Sequence, residues 1–231
     1  MKGGFIPGCS DVDLQLYLDD AAFTSQGHLS MDVGVAIQRD LACIDPAPFL
    51  SIQGYPLPPR TPPGWVGPIP GAYVVIAGRL PVPEATEQEL QASARTALSH
   101  PELTLPYVPD TLLQHGGWEL ARRVRLVCTA VWPVLYQVLT LQTNDGIRVW
   151  GLPKAAAIDL LRPDTSLGQA ARAFHQAVLA YYPAAESVAE ALRTIERGIA
   201  FLQAAQAWWH GAEMGNLRNL GDQSPDLQSG T

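Results

Sequence analysis

Residues 3–18, GGFIPGCSDVDLQLYL, decide the fold. A turn rich in glycine and proline leads to Ser10 and Asp11, and an apolar run that carries a second acid, Asp13, follows. Because side chains alternate between the two faces of a strand, residues two apart point to the same side. Asp11 and Asp13 are therefore predicted to lie side by side on one face of a strand.

This acid pair predicts metal-dependent chemistry on a nucleotide. Two carboxylates at that spacing repel each other unless a cation lies between them, and Mg²⁺ is commonly held by one or two carboxylates together with substrate phosphates. The competing interpretation is an incidental pair at a strand start, since aspartate also favours turns for reasons unrelated to metals.

The same stretch resembles the signature of the DNA polymerase β-type nucleotidyltransferases, in particular the minimal group that includes the aminoglycoside adenylyltransferases. The resemblance is confined to residues 3–18. It implies that Asp11 and Asp13 hold two Mg²⁺ ions against a nucleoside triphosphate, with ATP as the expected donor. It also implies that Gly3, Gly4 and Ser10 lie beside the phosphates.

The sequence departs from that family pattern at two points. The chain starts at Met1, so the strand, Gly-Ser pair and helix that precede the loop in the family have no room. Either the true start lies upstream, or part of the nucleotide site has been lost. The family also has a third carboxylate on a later strand, where the present sequence offers Gln53, which cannot act as a base.

Composition argues against several classes of partner and site. The net charge of −7 argues against a nucleic-acid partner, which would need a basic surface to neutralise its phosphates. Three widely spaced cysteines suit a reducing compartment and show no zinc spacing. Neither a signal sequence nor an uninterrupted apolar stretch of membrane-spanning length is visible, which predicts a cytoplasmic protein without a membrane.

An α+β architecture is predicted, with a small nucleotidyltransferase-like mixed sheet followed by an all-helical bundle. The α/β domain is assigned to residues 1–100, and the Pro-rich link at residues 99–111 is the expected boundary. Its predicted elements are a helix over residues 30–44 with Ser30 as its cap, and strands over residues 49–55 and 72–78. The proline-rich stretch over 56–71 is predicted to be a loop anchored by Trp65.

Helical periodicity dominates the rest of the chain and predicts a bundle over residues 110–211, with a flexible tail over 212–231. Thr86 and Glu89 have capping-box spacing at the start of a preceding helix. Pro133 is expected to kink or divide a long helix. Lys154, at the start of another, is a candidate contact for phosphate, with an ordinary surface lysine as the alternative.

The expected function is transfer of a nucleoside monophosphate from a nucleoside triphosphate to a small-molecule hydroxyl, catalysed by Asp11 and Asp13. The alternative is a catalytically degenerate nucleotide-binding or antitoxin-like partner protein of the same fold. A third interpretation is a helical scaffold in which the acid pair is incidental. A homodimer through the helical half is compatible with all three, and the acceptor is left open.

Overall fold

The computed structural model describes residues 5–58, 64–99, 108–114, 118–184 and 187–221, with side chains up to residue 212. Within these ranges the protein has two β-strands and eight α-helices, so it is mostly helical. The predicted α+β class is confirmed. A nucleotidyltransferase-like sheet stays a prediction, because two paired strands do not identify that fold.

The N-terminal part is a β–α–β unit. Strand β1 (Val12–Tyr17) pairs in parallel with β2 (Ile52–Leu57), and α1 (Met31–Leu41) connects them after a short 3₁₀ turn at Asp20–Ala22. The sheet has only these two strands among the described residues, so it is parallel and not mixed. The helix predicted over residues 30–44 ends three residues earlier, at Leu41. The strand predicted over residues 49–55 begins at Ile52 and ends at Leu57.

The apolar face of this sheet is turned toward α1. Leu16 and Ile52 on the sheet, with Ile37 and Leu41 on the helix, line a cavity of about 200 Å³ between the two layers. Every residue of β1, α1 and β2 keeps some solvent exposure. The unit therefore has little core of its own, and its stability has to come from contacts with the remainder of the chain.

The predicted strand over residues 72–78 is wrong. This segment is irregular, and its apolar side chains are exposed, with Val74 at 74% and Ile76 at 80%. β-branched residues favour a strand only when a neighbouring strand supplies hydrogen bonds and side-chain contacts. The described sheet offers this segment no pairing partner, so its propensity is not realised.

Trp65 anchors the described end of the Pro-rich loop. Its ring packs edge-on against Tyr17 at the end of β1, with 6.5 Å between ring centroids. The loop then runs along the segment that precedes α2, where the Ala85 N–H donates to the Pro68 carbonyl. A β-carbon on Gly67 would collide with the Pro83 carbonyl, so this close approach requires glycine.

Seven helices form the remainder of the described chain. They pack mainly through the contacts of α4 with α2 and α8 and of α7 with α8. Their bounds are α2 (Glu87–Ser99), α3 (Val108–Thr111), α4 (Glu119–Thr143), α5 (Gly146–Trp150), α6 (Lys154–Asp159), α7 (Ser166–Tyr181) and α8 (Val188–Gly221). Helix α8 continues beyond residue 212, where the tail was predicted to begin. Thr165 caps α7, because its side chain accepts a hydrogen bond from the Gly168 N–H.

The core of the protein lies around α4. Val127, Leu139, Phe174 and Phe201 are fully or almost fully buried there. Helix α4 runs through Pro133 without interruption, so the proline does not divide it. Its packing on both sides compensates for the backbone hydrogen bond that the proline removes. This helix is also long and apolar enough to cross a membrane, but 61% of its most apolar window is buried inside the protein.

Helix α2 is joined to the bundle by its first turn. The predicted capping box is confirmed, because Glu89 accepts hydrogen bonds from the backbone and hydroxyl of Thr86 while the Thr86 hydroxyl accepts from the Glu89 N–H. Glu87 in turn accepts from the N–H groups of Gly146 and Ile147 at the start of α5. The boundary at residues 99–111 stays a prediction, since residues 100–107 lie outside the described ranges.

Candidate functional site

The second face of the sheet carries the acid pair. This polar face, as it is called below, consists of Asp11, Asp13, Ser51, Gln53 and Tyr55, which occupy alternate positions along β1 and β2 and the residues just before them. Asp13 pairs in register with Gln53. Both acids lie close enough to Tyr55 to affect its titration, which places them on one side of the sheet, as their spacing predicts.

Asp11 is the most heavily bonded residue of the polar face. Its Oδ1 accepts from the Ser51 hydroxyl at 2.7 Å, and its Oδ2 accepts from the Gln53 amide at 3.1 Å. Oδ2 also accepts from Arg125 Nη2 at 2.9 Å, which forms an ion pair between β1 and α4. The Asp11 side chain is only 18% exposed, so this pair is partly shielded from solvent.

Asp13 is the solvent-exposed acid of the polar face. Its charge acts on the neighbouring Tyr55 hydroxyl. Partial burial raises the pKa of Tyr55, and the charge of Asp13 raises it further. The Tyr55 hydroxyl donates to Gln53 Oε1 at 2.6 Å, so Gln53 bridges Tyr55 and Asp11. Asp13 is therefore accessible to a ligand, whereas Asp11 already has protein partners.

Gln53 occupies the position where the sequence led us to look for a third acid. It lies beside both aspartates, and its amide is a hydrogen-bond donor to one of them. The polar face therefore offers two carboxylates, with an amide in place of a third. An amide cannot accept a proton at neutral pH, so this side chain is excluded as a general base.

Ser10 shapes the loop that leads into β1. Its hydroxyl accepts from the Ile6 N–H at 2.9 Å, and the Ile6 carbonyl accepts from the N–H groups of Cys9 and Ser10. Gly8 at the tip has φ +75°, a conformation that glycine adopts without strain. Ser10 therefore stabilises the turn beside Asp11. Gly3 and Gly4, the other predicted phosphate contacts, lie outside the described residues.

Lys154 approaches the same region from the bundle. Its ammonium group lies 5.5 Å from the centre of the Trp132 ring, and it acts electrostatically on the thiol of Cys9, as Asp11 does. Burial and the Lys154 charge both lower the pKa of the neighbouring His175. Lys154 takes part in none of the ion pairs formed by the described residues. It is a half-buried cation that an anion could neutralise.

The structure thus brings three of the predicted site residues together, Ser10, Asp11 and Asp13, while Lys154 lies in the bundle within electrostatic range of Cys9. Arg125 is the important addition. The sequence marks it only as part of the one dense basic group, Arg122-Arg123-Val124-Arg125, and its partner Asp11 lies more than a hundred residues away. Helical spacing alone does not tell which of these arginines faces the sheet.

No family model matches the chain, and neither the curated proteins nor the solved structures contain a match. Similarity to a known protein therefore assigns no function. Among the described residues, the polar face and the cations near it are the basis for the function proposed below.

The oxygen atoms that the polar face offers as ligands decide whether Mg²⁺ can bind there. Among the described residues, no group of three or more histidine, cysteine, aspartate or glutamate side chains could hold a metal ion. The two carboxylates of Asp11 and Asp13 nevertheless suit Mg²⁺, which prefers oxygen ligands and usually completes its coordination with water and phosphate. Arg125 competes for one of these carboxylates, so the face fits a cation that arrives together with a polyphosphate.

Proposed function

We propose that the polar face binds a nucleoside triphosphate with Mg²⁺ and that the protein transfers the nucleoside monophosphate to a hydroxyl acceptor. One observation carries this proposal. Asp11 and Asp13 lie on one face of the sheet, Arg125 of the bundle contacts Asp11 directly, and Lys154 of the bundle lies within electrostatic range of Cys9 in the preceding loop. Acids for a metal and cations for phosphate are the two requirements of nucleotidyl transfer.

Each side chain has a distinct role in this proposal. Asp11 and Asp13 would hold the cation, which when bound neutralises charge on the triphosphate. Arg125 neutralises Asp11 within the protein, and its guanidinium is suited to a phosphate oxygen because it presents paired N–H donors. Lys154 supplies a point charge at the side of Cys9. Most of the rate would come from positioning and electrostatics.

A second candidate has its own support. The polar face contains no side chain besides the two acids that accepts a proton at neutral pH, because its other members are Ser51, Gln53 and Tyr55. If both acids hold the cation, the acceptor hydroxyl has no general base on this face. This favours the alternative of a protein that binds a nucleotide without transferring it, as a sensor or as an antitoxin-like partner.

Pyrophosphate release separates the two candidates. The chain is incubated with Mg²⁺, each of the four nucleoside triphosphates in turn, and a panel of aminoglycosides and simpler polyols. Transfer predicts acceptor-dependent release that falls at least about a hundredfold in Asp11→Asn and Asp13→Asn. The matched control is Asp40→Asn, which changes an exposed acid on α1. Lys154→Ala should cost less than either acid.

Binding of a nucleotide without release of pyrophosphate would support the second candidate. Neither binding nor release with any of the four nucleotides would overturn both and leave the acid pair incidental.

A further inference from the structure

Residues 72–78, called the exposed segment below, protrude from the body of the protein. Val74 is 74% exposed and Ile76 is 80% exposed, and the middle of the segment contains neither a turn nor a bend. Gly71 just before it and Gly78 at its end have φ of +73° and +70°, and a β-carbon on either would have no atom within 4 Å. The exposed segment is therefore a short run of β-branched residues between two turns, surrounded largely by solvent.

Two contacts fix the base of the exposed segment. The Ala85 N–H donates to the Pro68 carbonyl at 3.0 Å, and the Tyr73 hydroxyl donates to Glu84 Oε1 at 2.8 Å. Both contacts tie the segment to the residues before α2 and not to the sheet. In this arrangement it makes no backbone hydrogen bond to either described strand. Its strand propensity is thus left for a partner outside its own chain.

The outer edge of β1 is open to such a partner. The N–H groups of Val12 and Leu18 donate to carbonyls on the side of β2, so the even-numbered residues of β1 face β2. The backbone N–H and C=O groups of Asp13, Gln15 and Tyr17 consequently point away from β2. The described part of the chain supplies no other backbone partner to these groups.

The outer edge of β2 is protected instead. The carbonyls that accept from β1 belong to Ser51 and Leu57, so the odd-numbered residues of β2 face β1, and Ile52, Gly54 and Pro56 point outward. Proline has no N–H to donate, and it is one of the residues that keep a further strand from adding to an edge. The edge at which a strand can add is therefore that of β1.

We propose that the exposed segment of one copy adds as a strand to the outer edge of β1 in a second copy, and that this exchange, made twice, joins the protein into a homodimer. Each copy carries both halves of the contact, so a two-fold arrangement uses the same pair of surfaces twice. Main-chain hydrogen bonds supply affinity when a strand extends a sheet in this way. The contact lies on the sheet, whereas the sequence led us to expect a dimer through the helical half.

The side chains of the exposed segment fit this addition. Val74 and Ile76 are two residues apart and lie on one side of an added strand. In one register they come beside Leu14 and Leu16, which share the apolar face of β1 and are partly exposed. A shift by one residue would turn Val74 and Ile76 to the polar face. Burial of these four aliphatic side chains together therefore selects the register.

The size of the contact predicts a weak dimer. Each copy contributes the six residues of β1 and the seven of the exposed segment, which is fewer than the about 20–30 residues per partner in a stable interface. We therefore expect a dissociation constant of about 1–100 μM. Asp13 lies on the paired edge, so the added strand would flank the exposed acid of the polar face. The dimer itself does not depend on nucleotide binding.

Sedimentation velocity of the full chain over about 1–500 μM, a range that includes the expected dissociation constant, measures the dimer. The wild type should change from monomer to dimer within this range. Ile76→Lys should remain a monomer throughout, because it places a charge in the contact. The matched control is Leu113→Lys, which changes a leucine of the bundle that is 85% exposed, and it should dimerise as the wild type does. Both substitutions are at exposed positions, so both chains should fold.

Gln15→Pro tests the other half of the contact. The Gln15 N–H points away from β2, so proline removes a donor from the outer edge without removing a bond between β1 and β2. This variant alone should be a monomer, and a thermal melt checks that it is folded. Mixed with Ile76→Lys, it should form a heterodimer weaker than the wild-type dimer, because one copy keeps an intact segment and the other an intact edge. If Gln15→Pro does not fold, Ile76→Lys and its control decide alone.

A wild type that stays monomeric over the whole concentration range would overturn the proposal. So would a dimer that Ile76→Lys leaves as stable as Leu113→Lys does. Cosedimentation of the wild type with phosphatidylcholine vesicles, lost in Ile76→Lys while the free chain is a monomer, would assign the exposed segment to a lipid surface and overturn the exchange between copies.

Discussion

The helical bundle and the β–α–β unit differ in how they are held together. Around α4, residues such as Leu139 and Phe174 have no solvent exposure, whereas no residue of β1, α1 or β2 is buried to that extent. The polar side chains of the candidate site lie on the second, weakly packed part. Their positions depend on two contacts with the first: the loop of Ile6 to Ser10 and the ion pair between Asp11 and Arg125.

This difference separates stability from chemistry within one chain. The bundle supplies the buried apolar area, and the sheet supplies acids in a partly solvated setting where a ligand has access. Changes in the bundle should therefore appear as changes in the free energy of unfolding. Changes on the sheet should appear mainly as changes in ligand binding.

The largest expected effect comes from deleting a core ring of the bundle. Phe174 is fully buried and lies 4.9 Å from the Trp132 ring, so Phe174→Ala should lower the free energy of unfolding by about 3–5 kcal/mol. Ile37→Ala on α1 removes a half-buried side chain and should cost less than about 2 kcal/mol. Urea unfolding followed by circular dichroism measures both. Equal losses of stability in the two variants would contradict the view that the bundle, and not the β–α–β unit, holds most of the buried core.

A pair of glycines in α8 sharpens the same comparison. A β-carbon on Gly198 would collide with the Val127 side chain and crowd Phe174, so Gly198→Ala should destabilise the protein by about 1–3 kcal/mol. Gly211 has no atom within 4 Å of that position. Gly211→Ala should stabilise the same helix by up to about 1 kcal/mol, since alanine is the better helix former. Thermal melts of both variants give the two opposite signs; the same sign for both would contradict close packing at Gly198.

Glu87 tests whether α2 belongs with the bundle. Burial by itself raises its pKa, but hydrogen bonds from the N–H groups of Gly146 and Ile147 prevail and lower the pKa below the usual value. Because its pKa is lowered on folding, Glu87 contributes stability above the pKa it has in the unfolded chain, about 4.3, and loses it as the pH falls through the lower, folded value.

Glu87→Gln should therefore cost about 1 kcal/mol at pH 7, and the cost should fade as the pH is lowered below about 4. Urea unfolding at a series of pH values measures it. Glu89→Gln, at the exposed capping box, should have a smaller effect. A Glu87 effect that does not change with pH would argue against the charged contact with α5.

The smallest expected effect on stability comes from Arg125, the link between the two regions. Arg125→Gln should change the free energy of unfolding by less than about 1 kcal/mol, because the pair is partly solvated. It should, however, strengthen the binding of Mg²⁺ alone by about fivefold, since Asp11 no longer has a competing cation. Calorimetric titration with Mg²⁺ measures this, with Arg122→Gln on the exposed side of α4 as the control. Weaker Mg²⁺ binding in Arg125→Gln would contradict the proposed competition.

Local patterns predict the helical part of the fold well. The periodicity of α4 and α8 and the capping box of Thr86 and Glu89 are all confirmed, because each is determined by residues within a few positions of one another. The alternation that places Asp11 and Asp13 on one face is local in the same sense.

Features that depend on distant residues could not be predicted. The segment over 72–78 has strong strand propensity but no partner among the described strands, so a local pattern gave the wrong result. Arg125 meets Asp11 across more than a hundred residues. This contact has no signature in the spacing of residues along the chain.

Mg²⁺-dependent nucleotide binding is the most direct test of the central claim. Thermal melts are recorded with each nucleoside triphosphate, with and without Mg²⁺, on the wild type, on the double variant Asp11→Asn/Asp13→Asn, and on Asp40→Asn. One nucleotide at about one hundred times its dissociation constant should add about 2.7 kcal/mol of stability. We expect this only with Mg²⁺, in the wild type and in Asp40→Asn, and not in the double variant. Stabilisation that survives in the double variant, or none in the wild type, would contradict the claim.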